Sequence, residues 1–365
     1  MAEYTGKYIG RYHIRESLGQ GGMAVVYKAF DTTLERDVAV KFIRTGEIGT
    51  NYHDQVMKRF EQEAKSLARF DHPNIITVFD YGQYENVPYL VMQYQPGGTL
   101  RDLTGQPMDC RKAVTLVRKL TDGLQYAHNY KVIHRDIKPA NVLITKEGEP
   151  KLTDFGIAKV LDQTQRVNTL YTPTSVAMGT AQYMAPEQFV NSKVDQRVDI
   201  YALGVVLYEL VTGRRPYDAD TPLAIGIMQK SEPLPSPAEF NPGVESALEN
   251  VIIKALALDP LHRYQSMQEF GKALQNLLDG HRPEPVPVLP TEIYEETVVD
   301  NTEETEPEDF GLDDTPSEEL VFETQPDLIA ASREEEPQIE IVEEGVVDIP
   351  KGKIPKRVWG IGAAG

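Results

Sequence analysis

The sequence predicts an α+β fold in two lobes, a small β-rich lobe over about residues 8–95 and a larger helical lobe over about 98–280, followed by an acidic tail. Three observations support this division. Short segments near the amino end alternate apolar and polar residues, which is the period of a half-buried strand. In the middle of the chain apolar residues recur every three or four positions, as in a helix. Beyond residue 280 the composition shifts to Pro, Glu, Asp and Thr.

The negative charge lies almost entirely in the tail. Of the net charge of −19, residues 281–365 carry −17, with 6 Lys/Arg against 23 Asp/Glu, and residues 1–280 carry only −2. The folded part therefore lacks the basic excess of a nucleic-acid-binding protein. Cys110 is the only cysteine, which fits a reducing cytoplasm. Met1 to Tyr4 lack the pattern of a signal peptide, so we expect the amino end to stay in the cytoplasm.

A glycine-rich turn follows the first predicted strand, Tyr12 to Leu18. Glycines let a backbone approach phosphate groups closely and leave its amides free to bind them. The simpler alternative is an ordinary hairpin turn. The turn reads Gly19-Gln20-Gly21-Gly22-Met23-Ala24-Val25-Val26.

A lysine lies on the inward face of the predicted strand Val38 to Lys41, on the same side as Ala39. Burying a lysine is costly unless its charge is paired, so phosphate and carboxylate partners are expected. The helix predicted over about 55–70 offers a carboxylate, because Glu61 and Glu63 both flank its apolar stripe. Helical geometry alone does not choose between them. The stripe consists of Val56, Met57, Phe60, Ala64 and Leu67.

The larger lobe contains two clearly marked helices. One spaces its apolar residues by three or four between Val114 and Ala127. The other, Asp195 to Val211, is apolar without interruption from Ile200 to Leu207 but also carries Asp199 and Glu209. A membrane span needs about 20 apolar residues, so this segment is predicted to be a buried core helix.

The stretch from His134 to Gly156 combines two acids, an amide and basic residues. Phosphoryl transfer needs such groups as metal ligands, for charge neutralisation and to position a nucleophile. The stretch contains two motifs, and the second, Asp154-Phe155-Gly156, would alone indicate little more than a turn after a strand. The motifs are His134-Arg135-Asp136-Ile137-Lys138-Pro139-Ala140-Asn141 and Asp154-Phe155-Gly156.

Together, in this order and over about residues 8–280, these motifs resemble the eukaryotic-like serine/threonine protein kinases of bacteria. The pair Lys138-Pro139 is the serine/threonine form of the loop. The resemblance implies a bilobal protein kinase fold and phosphorylation of Ser/Thr hydroxyls on protein substrates. It also implies ATP and Mg²⁺ as cofactors, with Mn²⁺ as an alternative ion.

The resemblance implies a role for each charged residue of the site. Asp136 would orient the substrate hydroxyl and accept its proton, and Lys138 would lie against the transferred phosphate. Asn141 and Asp154 would hold the metal ion as hard oxygen ligands. Of the two helix glutamates, the family pattern selects Glu63 as the partner of Lys41.

An ATP site is also implied, with Val26 covering the adenine and Met92 behind it. Met92 ends the predicted strand that starts at Tyr89, and the backbone of Gln93 and Gln95 would bind the adenine edge. Ala24 replaces a family glycine, which predicts a slightly stiffer lid. The implied ATP-binding residues are Leu18, Gly19, Gln20, Gly21, Gly22, Met23, Ala24, Val26, Ala39, Lys41, Met92, Gln93, Gln95 and Leu143.

Three further contacts are implied in the helical lobe. Thr180, within a stretch that resembles the substrate-docking segment, would bond Asp136 and Lys138. Glu187 closes that segment and would pair with Arg263. Asp199 would hold the catalytic loop from below.

Control by phosphorylation is implied by position before Gly179, where Thr172 and Thr174 match the autophosphorylated threonines of bacterial relatives. A phosphate can order a loop by bonding an arginine, and Arg135 lies next to the predicted catalytic acid. Phosphorylation in trans would require a transient homodimer. Thr169 and Ser175 are weaker candidates.

Two other functions fit parts of the pattern. A nucleotide-binding pseudokinase scaffold would have the fold without catalysis, but such proteins usually lose a motif residue that this chain keeps. A small-molecule phosphotransferase would not need the docking segment around Thr180.

The tail is predicted as a disordered acidic linker over 281–350, because its composition buries too little apolar surface to offset ordering. The alternative is an acidic docking segment.

Residues 351–365 begin with four cations between Lys351 and Arg357, followed by Val358 and Trp359, which is typical of the cytoplasmic edge of a membrane helix. The eight residues after Arg357 reach about 12 Å as a helix, against about 30 Å of hydrocarbon. We therefore expect the start of a truncated span from a single-pass parent; a weak basic anchor is the alternative.

Overall fold

The computed structural model describes residues 3–21, 24–43, 50–155, 181–189 and 194–281. Its strands are β1 (Tyr8–Ile9), β2 (Tyr12–Gln20), β3 (Ala24–Asp31), β4 (Arg36–Ile43), β5 (Val78–Tyr84), β6 (Val87–Gln93), β7 (Val142–Ile144) and β8 (Pro150–Leu152). Its α-helices are α1 (Thr50–Leu67), α2 (Cys110–Asn129), α3 (Pro186–Phe189), α4 (Arg197–Thr212), α5 (Pro222–Ser231), α6 (Pro237–Phe240), α7 (Ser246–Ala255) and α8 (Met267–Leu278).

The small lobe is an antiparallel sheet with α1 packed on one face. Its strand order is β1-β2-β3-β4-β6-β5. Strand β4 lies inside the sheet, where Val26 pairs with Lys41 on one side and Ala39 pairs with Met92 on the other. Three of these strands, β2, β4 and β6, were predicted, whereas α1 begins at Thr50 and ends at Leu67 rather than spanning 55–70.

The outer face of the sheet has its own aromatic core, which reaches upstream of the predicted domain start at residue 8. Tyr4 is only 2 % exposed. Its ring stacks on Phe42 with centroids 4.2 Å apart and meets Tyr27 and Tyr84 edge-on at 5.9 and 6.0 Å. The amino-terminal segment is therefore part of the small lobe.

The main core runs from the inner face of the sheet through α1 and α2 to α4. Helix α4 is buried from Val198 to Thr212, so the prediction of a core helix is confirmed. Among the described residues, no helix combines the length and apolarity that crossing a membrane requires.

A short backbone ladder joins the segment before β5 to the hairpin that carries the second motif. The Leu152 N–H donates to Asn74 O at 2.8 Å, and the Ile76 N–H donates to Leu152 O at 2.8 Å. The buried Asn74 side chain also donates to Pro150 O at 2.9 Å. The two lobes are thus linked directly beside the candidate site. Residues 282–365 lie outside the described part, and their predictions stay predictions.

Candidate active site

The carboxylate of Asp136 is held between two side chains of its own loop. Lys138 Nζ lies 3.0 Å from Asp136 Oδ1, and Asn141 Nδ2 donates to Asp136 Oδ2 at 2.8 Å and to Asp136 O at 2.7 Å. Asn141 reaches back because Pro139–Asn141 forms one turn of 3₁₀-helix. The loop therefore presents a fixed, partly exposed carboxylate next to an ammonium group.

Asp199 at the start of α4 holds this loop from below, as predicted. Its fully buried carboxylate accepts the N–H of His134 at 2.8 Å and of Arg135 at 2.7 Å. Arg135 has φ +62°, in the left-handed region that residues other than glycine rarely adopt. Such strain persists only where surrounding contacts fix it, and it concentrates at functional sites.

The hairpin β7–β8 brings the two predicted metal ligands together. Val142 pairs with Leu152, so Asn141 and Thr153 are the next residues on the two strands, and the Thr153 N–H donates to Asn141 O at 3.0 Å. Asp154 follows at once, with φ +66°. An amide and a carboxylate are oxygen donors of the kind that Mg²⁺ binds, with water and phosphate oxygens completing the shell. The residues present therefore fit a magnesium site.

Lys41 pairs with Asp154 rather than with Glu63. The Lys41 Nζ to Asp154 Oδ1 distance is 2.6 Å, and among the described residues no ion pair joins Lys41 to Glu63. The expected pair of Lys41 with Glu63 is thus absent from this arrangement. The Lys41 ammonium group was expected to pair with Glu63, but here it neutralises the carboxylate of Asp154 at the predicted metal site.

With Lys41 paired to Asp154, the pKa values of Asp154 and Glu63 are shifted in opposite directions. Burial alone would raise the pKa of Asp154, but the charge of Lys41, helped by His134 and Lys138, holds it below its usual value. Burial raises the pKa of Glu63 to about 7, and the charge of Arg135 offsets only part of that rise. Asp154 is therefore ready to hold a cation, while among the described residues Glu63 has only the charge of Arg135 to favour its ionised form.

Five of the predicted ATP-binding residues lie in the main core or pack against it. Ala39 and Met92 belong to that core, and Ala24, Val26 and Leu143 pack against it. The Gln93 N–H donates to Thr77 O at 2.9 Å, so this amide is already hydrogen-bonded within the protein.

The glycine-rich turn is described only in part. Leu18, Gly19 and Gln20 end β2, and the Gly21 N–H donates to Ala24 O at 2.8 Å. Leu18 is 45 % exposed, so its side chain is open for contact with a ligand. Gly22 and Met23 lie outside the described residues.

The predicted ion pair at the end of the segment that closes with Glu187 is present. Arg263 donates to both carboxylate oxygens of Glu187, at 2.7 and 2.8 Å, and the Arg263 side chain is fully buried. This two-bond ion pair fixes the end of the segment against the helical lobe. Thr172, Thr174 and Thr180 lie outside the described residues.

Two residues of the site have no signal in the sequence. Thr153 Oγ1 donates to Met92 Sδ at 3.8 Å, which connects the hairpin with the residue predicted behind the adenine. His128 Nε2 lies 2.8 Å from Asp199 Oδ2. Neither residue belongs to a motif, and only their position in space shows their contacts.

The fold combines a β-rich lobe that has one main helix with a helical lobe. Two acids, an amide and two lysines meet at the site between these lobes. Together these features define a protein kinase domain. The family model described as protein kinase domain matches residues 12–274. The chain belongs to the protein kinase family.

The chain is similar in sequence to curated serine/threonine protein kinases of bacteria, as its motifs predicted. The chain is 38% identical over 275 residues to the serine/threonine-protein kinase PrkC of Bacillus subtilis, covering 75% of this chain and 41% of that protein. It is 39% identical over 286 residues to the serine/threonine-protein kinase PknB of Mycolicibacterium smegmatis, covering 76% and 45%. The chain thus spans less than half the length of these relatives.

Solved structures share the fold. A Mycobacterium tuberculosis PknI kinase domain matches with a TM-score of 0.59 at 27% identity, over 76% of this chain and all of the other. The apo form of PpkA-294 matches with a TM-score of 0.62 at 26% identity, over 75% and 99%. The predicted bilobal protein kinase fold is confirmed.

Proposed function

We propose that this chain transfers the γ-phosphate of ATP, with Mg²⁺, to Ser/Thr hydroxyls of protein substrates. The observation that carries this proposal is the position of Asp136, whose carboxylate is fixed by Lys138 and Asn141 beside Asp154. Phosphoryl transfer depends mainly on positioning and charge stabilisation, and these four side chains provide both.

Each residue has a proposed task. Asp136 orients the substrate hydroxyl and accepts its proton, and Lys138 stabilises charge on the transferred phosphate. Asn141 and Asp154 hold the metal ion that neutralises the phosphates when it is bound. Lys41, 2.6 Å from Asp154, is placed to bind phosphate oxygens. In the active arrangement we propose that Lys41 turns to Glu63.

The nucleotide is proposed to lie between Val26 and Leu143, with its adenine edge on the Gln93 carbonyl and the Gln95 N–H. The packing of Val26 and Leu143 against the core that contains Ala39 and Met92 supports this position. Thr180 is proposed to join the docked substrate to Asp136.

The test of catalysis is Asp136→Asn. We expect a loss of about 10²–10⁴-fold in rate, the usual contribution of a positioned proton acceptor. Nucleotide affinity, measured by calorimetry, should stay unchanged because this carboxylate does not contact the adenine. The matched control is Asp122→Asn, an exposed acid on α2 that pairs with Arg118 and should leave the rate unchanged. Equal phosphate incorporation by wild type and Asp136→Asn would favour a nucleotide-binding scaffold.

We also propose trans-autophosphorylation at Thr172 and Thr174 through a transient homodimer. Arg135 supports this, since it precedes Asp136 and its charge acts on Glu63, so a phosphate bound to Arg135 would act on both. The double variant Thr172→Ala/Thr174→Ala should phosphorylate an added substrate more slowly than wild type. The control Thr169→Ala/Ser175→Ala should match wild type. If the first pair also ran at the wild-type rate, this control mechanism would be wrong.

A further inference from the structure

The described part of the predicted docking segment contains a buried amide that depends on an exposed acid. Gln182 is 8 % exposed, and its Nε2 donates to Asp218 Oδ1 at 2.5 Å. Asp218 lies in the loop between α4 and α5, and its side chain is 58 % exposed. Among the described residues, this contact is the hydrogen bond that the Gln182 side chain makes. A surface residue remote in sequence thus fixes a buried side chain of this segment.

The acid is itself held in place by a cation of the same loop. Arg215 Nη2 lies 2.7 Å from Asp218 Oδ2, so each oxygen of the carboxylate has its own donor. An exposed ion pair of this kind adds little to the stability of the fold by itself. Its effect here is to fix the direction in which the Asp218 carboxylate points, which is towards Gln182.

The next residue of the segment, Tyr183, is attached to the same group of charged side chains. Its hydroxyl donates to Glu209 Oε2 at 2.6 Å. Burial raises the pKa of Glu209, and the Tyr183 hydrogen bond and the charge of Arg215 offset part of that rise. Two consecutive residues of the predicted docking segment are therefore held by side chains of α4 and of the loop that follows it.

The contact with Asp218 matters because Gln182 has no alternative acceptor among the described residues. A buried amide N–H without an acceptor loses its hydrogen bond to water and gains none in return, so the side chain would leave its present position. Thr180 lies two residues before Gln182, and two residues of chain reach only about 7 Å. The position of Gln182 therefore limits where Thr180, proposed above to join the substrate to Asp136, can lie.

We propose that Asp218 is a positioning residue for the protein substrate, acting through Gln182 on the predicted docking segment. This inference rests on the proposed function, since it assigns Asp218 to the binding of the same substrates. Removal of the carboxylate should raise the KM for a protein substrate. The KM for ATP should stay unchanged, because other elements form the adenine side of the site.

The test measures initial rates with casein, ATP and Mg²⁺, normalised to folded protein by circular dichroism. Asp218→Ala removes both contacts, and we expect the KM for casein to rise about tenfold or more, the factor that a hydrogen bond to a charged group supplies. The value of kcat should change much less, as for a loss of binding that the ground and transition states share. Asp218→Glu keeps a carboxylate of longer reach and should recover most of the affinity.

The matched control is Asp220→Ala, which removes the same charge two positions further along the loop. Asp220 is exposed and has no hydrogen bond or ion pair with another described residue. This control should keep the wild-type KM for casein. It therefore separates the contact with Gln182 from a general effect of negative charge on substrate binding.

A second comparison shows whether Asp218 acts through Gln182. Gln182→Met keeps the length of the side chain and removes the donor. Because the effects of residues in contact do not add, Gln182→Met/Asp218→Ala should raise the KM for casein no more than the stronger single variant does. Independent sites would instead multiply the two effects, and that result would overturn the proposal.

The remaining outcomes distinguish this inference from the proposed function. A wild type without activity on casein, ATP and Mg²⁺ would refute the proposed function itself. With an active wild type, the inference is overturned if Asp218→Ala keeps the wild-type KM for casein, if Asp220→Ala raises it equally, or if the KM for ATP rises as much. Equal KM values for Asp218→Glu and Asp218→Ala would also overturn it.

Asp218→Asn replaces Asp218→Ala if the latter does not fold. A side-chain amide has a single acceptor oxygen, so one of the two donors, Gln182 or Arg215, loses its partner. The KM for casein should still rise. An unchanged KM in this variant would overturn the proposal.

Discussion

Glu63→Gln tests the electrostatics of the site through an effect on stability that rises with pH. Burial raises the pKa of Glu63 from 4.5 to about 7, so the folded protein binds this proton more tightly than the unfolded chain does. The stabilising contribution is fully present below pH 4.5 and is lost as the pH rises to about 7, where Glu63 ionises with no ion-pair partner among the described residues. Gln stays neutral and avoids this loss.

The size of the stability effect follows from the pKa shift of Glu63. One pKa unit corresponds to about 1.4 kcal/mol, and solvent screening of a half-buried group reduces the full effect to about 1–2 kcal/mol. We therefore expect Glu63→Gln to raise the free energy of unfolding by this amount at pH 8, with the gain shrinking towards pH 5. The same variant should phosphorylate substrates more slowly, because Gln cannot form the ion pair with Lys41 proposed for the active arrangement.

The assay is urea unfolding followed by circular dichroism at pH 5.5 and pH 8. The matched control is Glu61→Gln, which lies on the same helix, is exposed, and faces Lys65 at 3.7 Å. This control should not become more stable at pH 8. Two results would refute the argument that burial raises the pKa of Glu63. One is a Glu63→Gln variant that is no more stable than wild type at pH 8. The other is a variant that is stabilised equally at both pH values.

Two further predictions concern stability. Arg263→Met should cost about 3–5 kcal/mol because it breaks the buried two-bond ion pair with Glu187, whereas the double variant with Glu187→Leu should cost less. Denaturant unfolding of the three proteins checks this, and a double variant less stable than the single one would contradict it. Tyr4→Ala should cost about 3–5 kcal/mol, as for other large buried aromatic residues, whereas Tyr8→Ala, at a residue 61 % exposed, should stay within about 0.5 kcal/mol. Equal thermal midpoints for these two variants would show that the amino-terminal segment does not stabilise the small lobe.

The catalytic loop was predictable because its residues are neighbours in sequence. Asp136, Lys138 and Asn141 lie within six positions, and one turn of 3₁₀-helix is enough to bring their side chains together. The core helix α4 was predictable for a similar local reason, since an uninterrupted apolar run indicates burial on all sides. The contact of Arg263 with Glu187 came from the family pattern, because nothing local connects residues so far apart.

Helix α1 shows where local signals were insufficient. Its apolar stripe predicted the helix, but the end at Leu67 precedes the predicted end at Phe70. Phe70 instead packs against Phe155 at 5.8 Å and Tyr126 at 5.6 Å, and these contacts come from the other lobe. A boundary set by such contacts is not encoded in the periodicity of the helix itself.

By itself, the sequence determined the strands β2, β4 and β6, the helices α1, α2 and α4, and the chemical groups of the site, because period and motif are properties of neighbouring residues. Only the tertiary structure decided that Lys41 pairs with Asp154, that Tyr4 completes the outer core and that His128 contacts Asp199. Burial and charge pairing depend on distances between residues remote in sequence. Those distances exist only once the chain has folded.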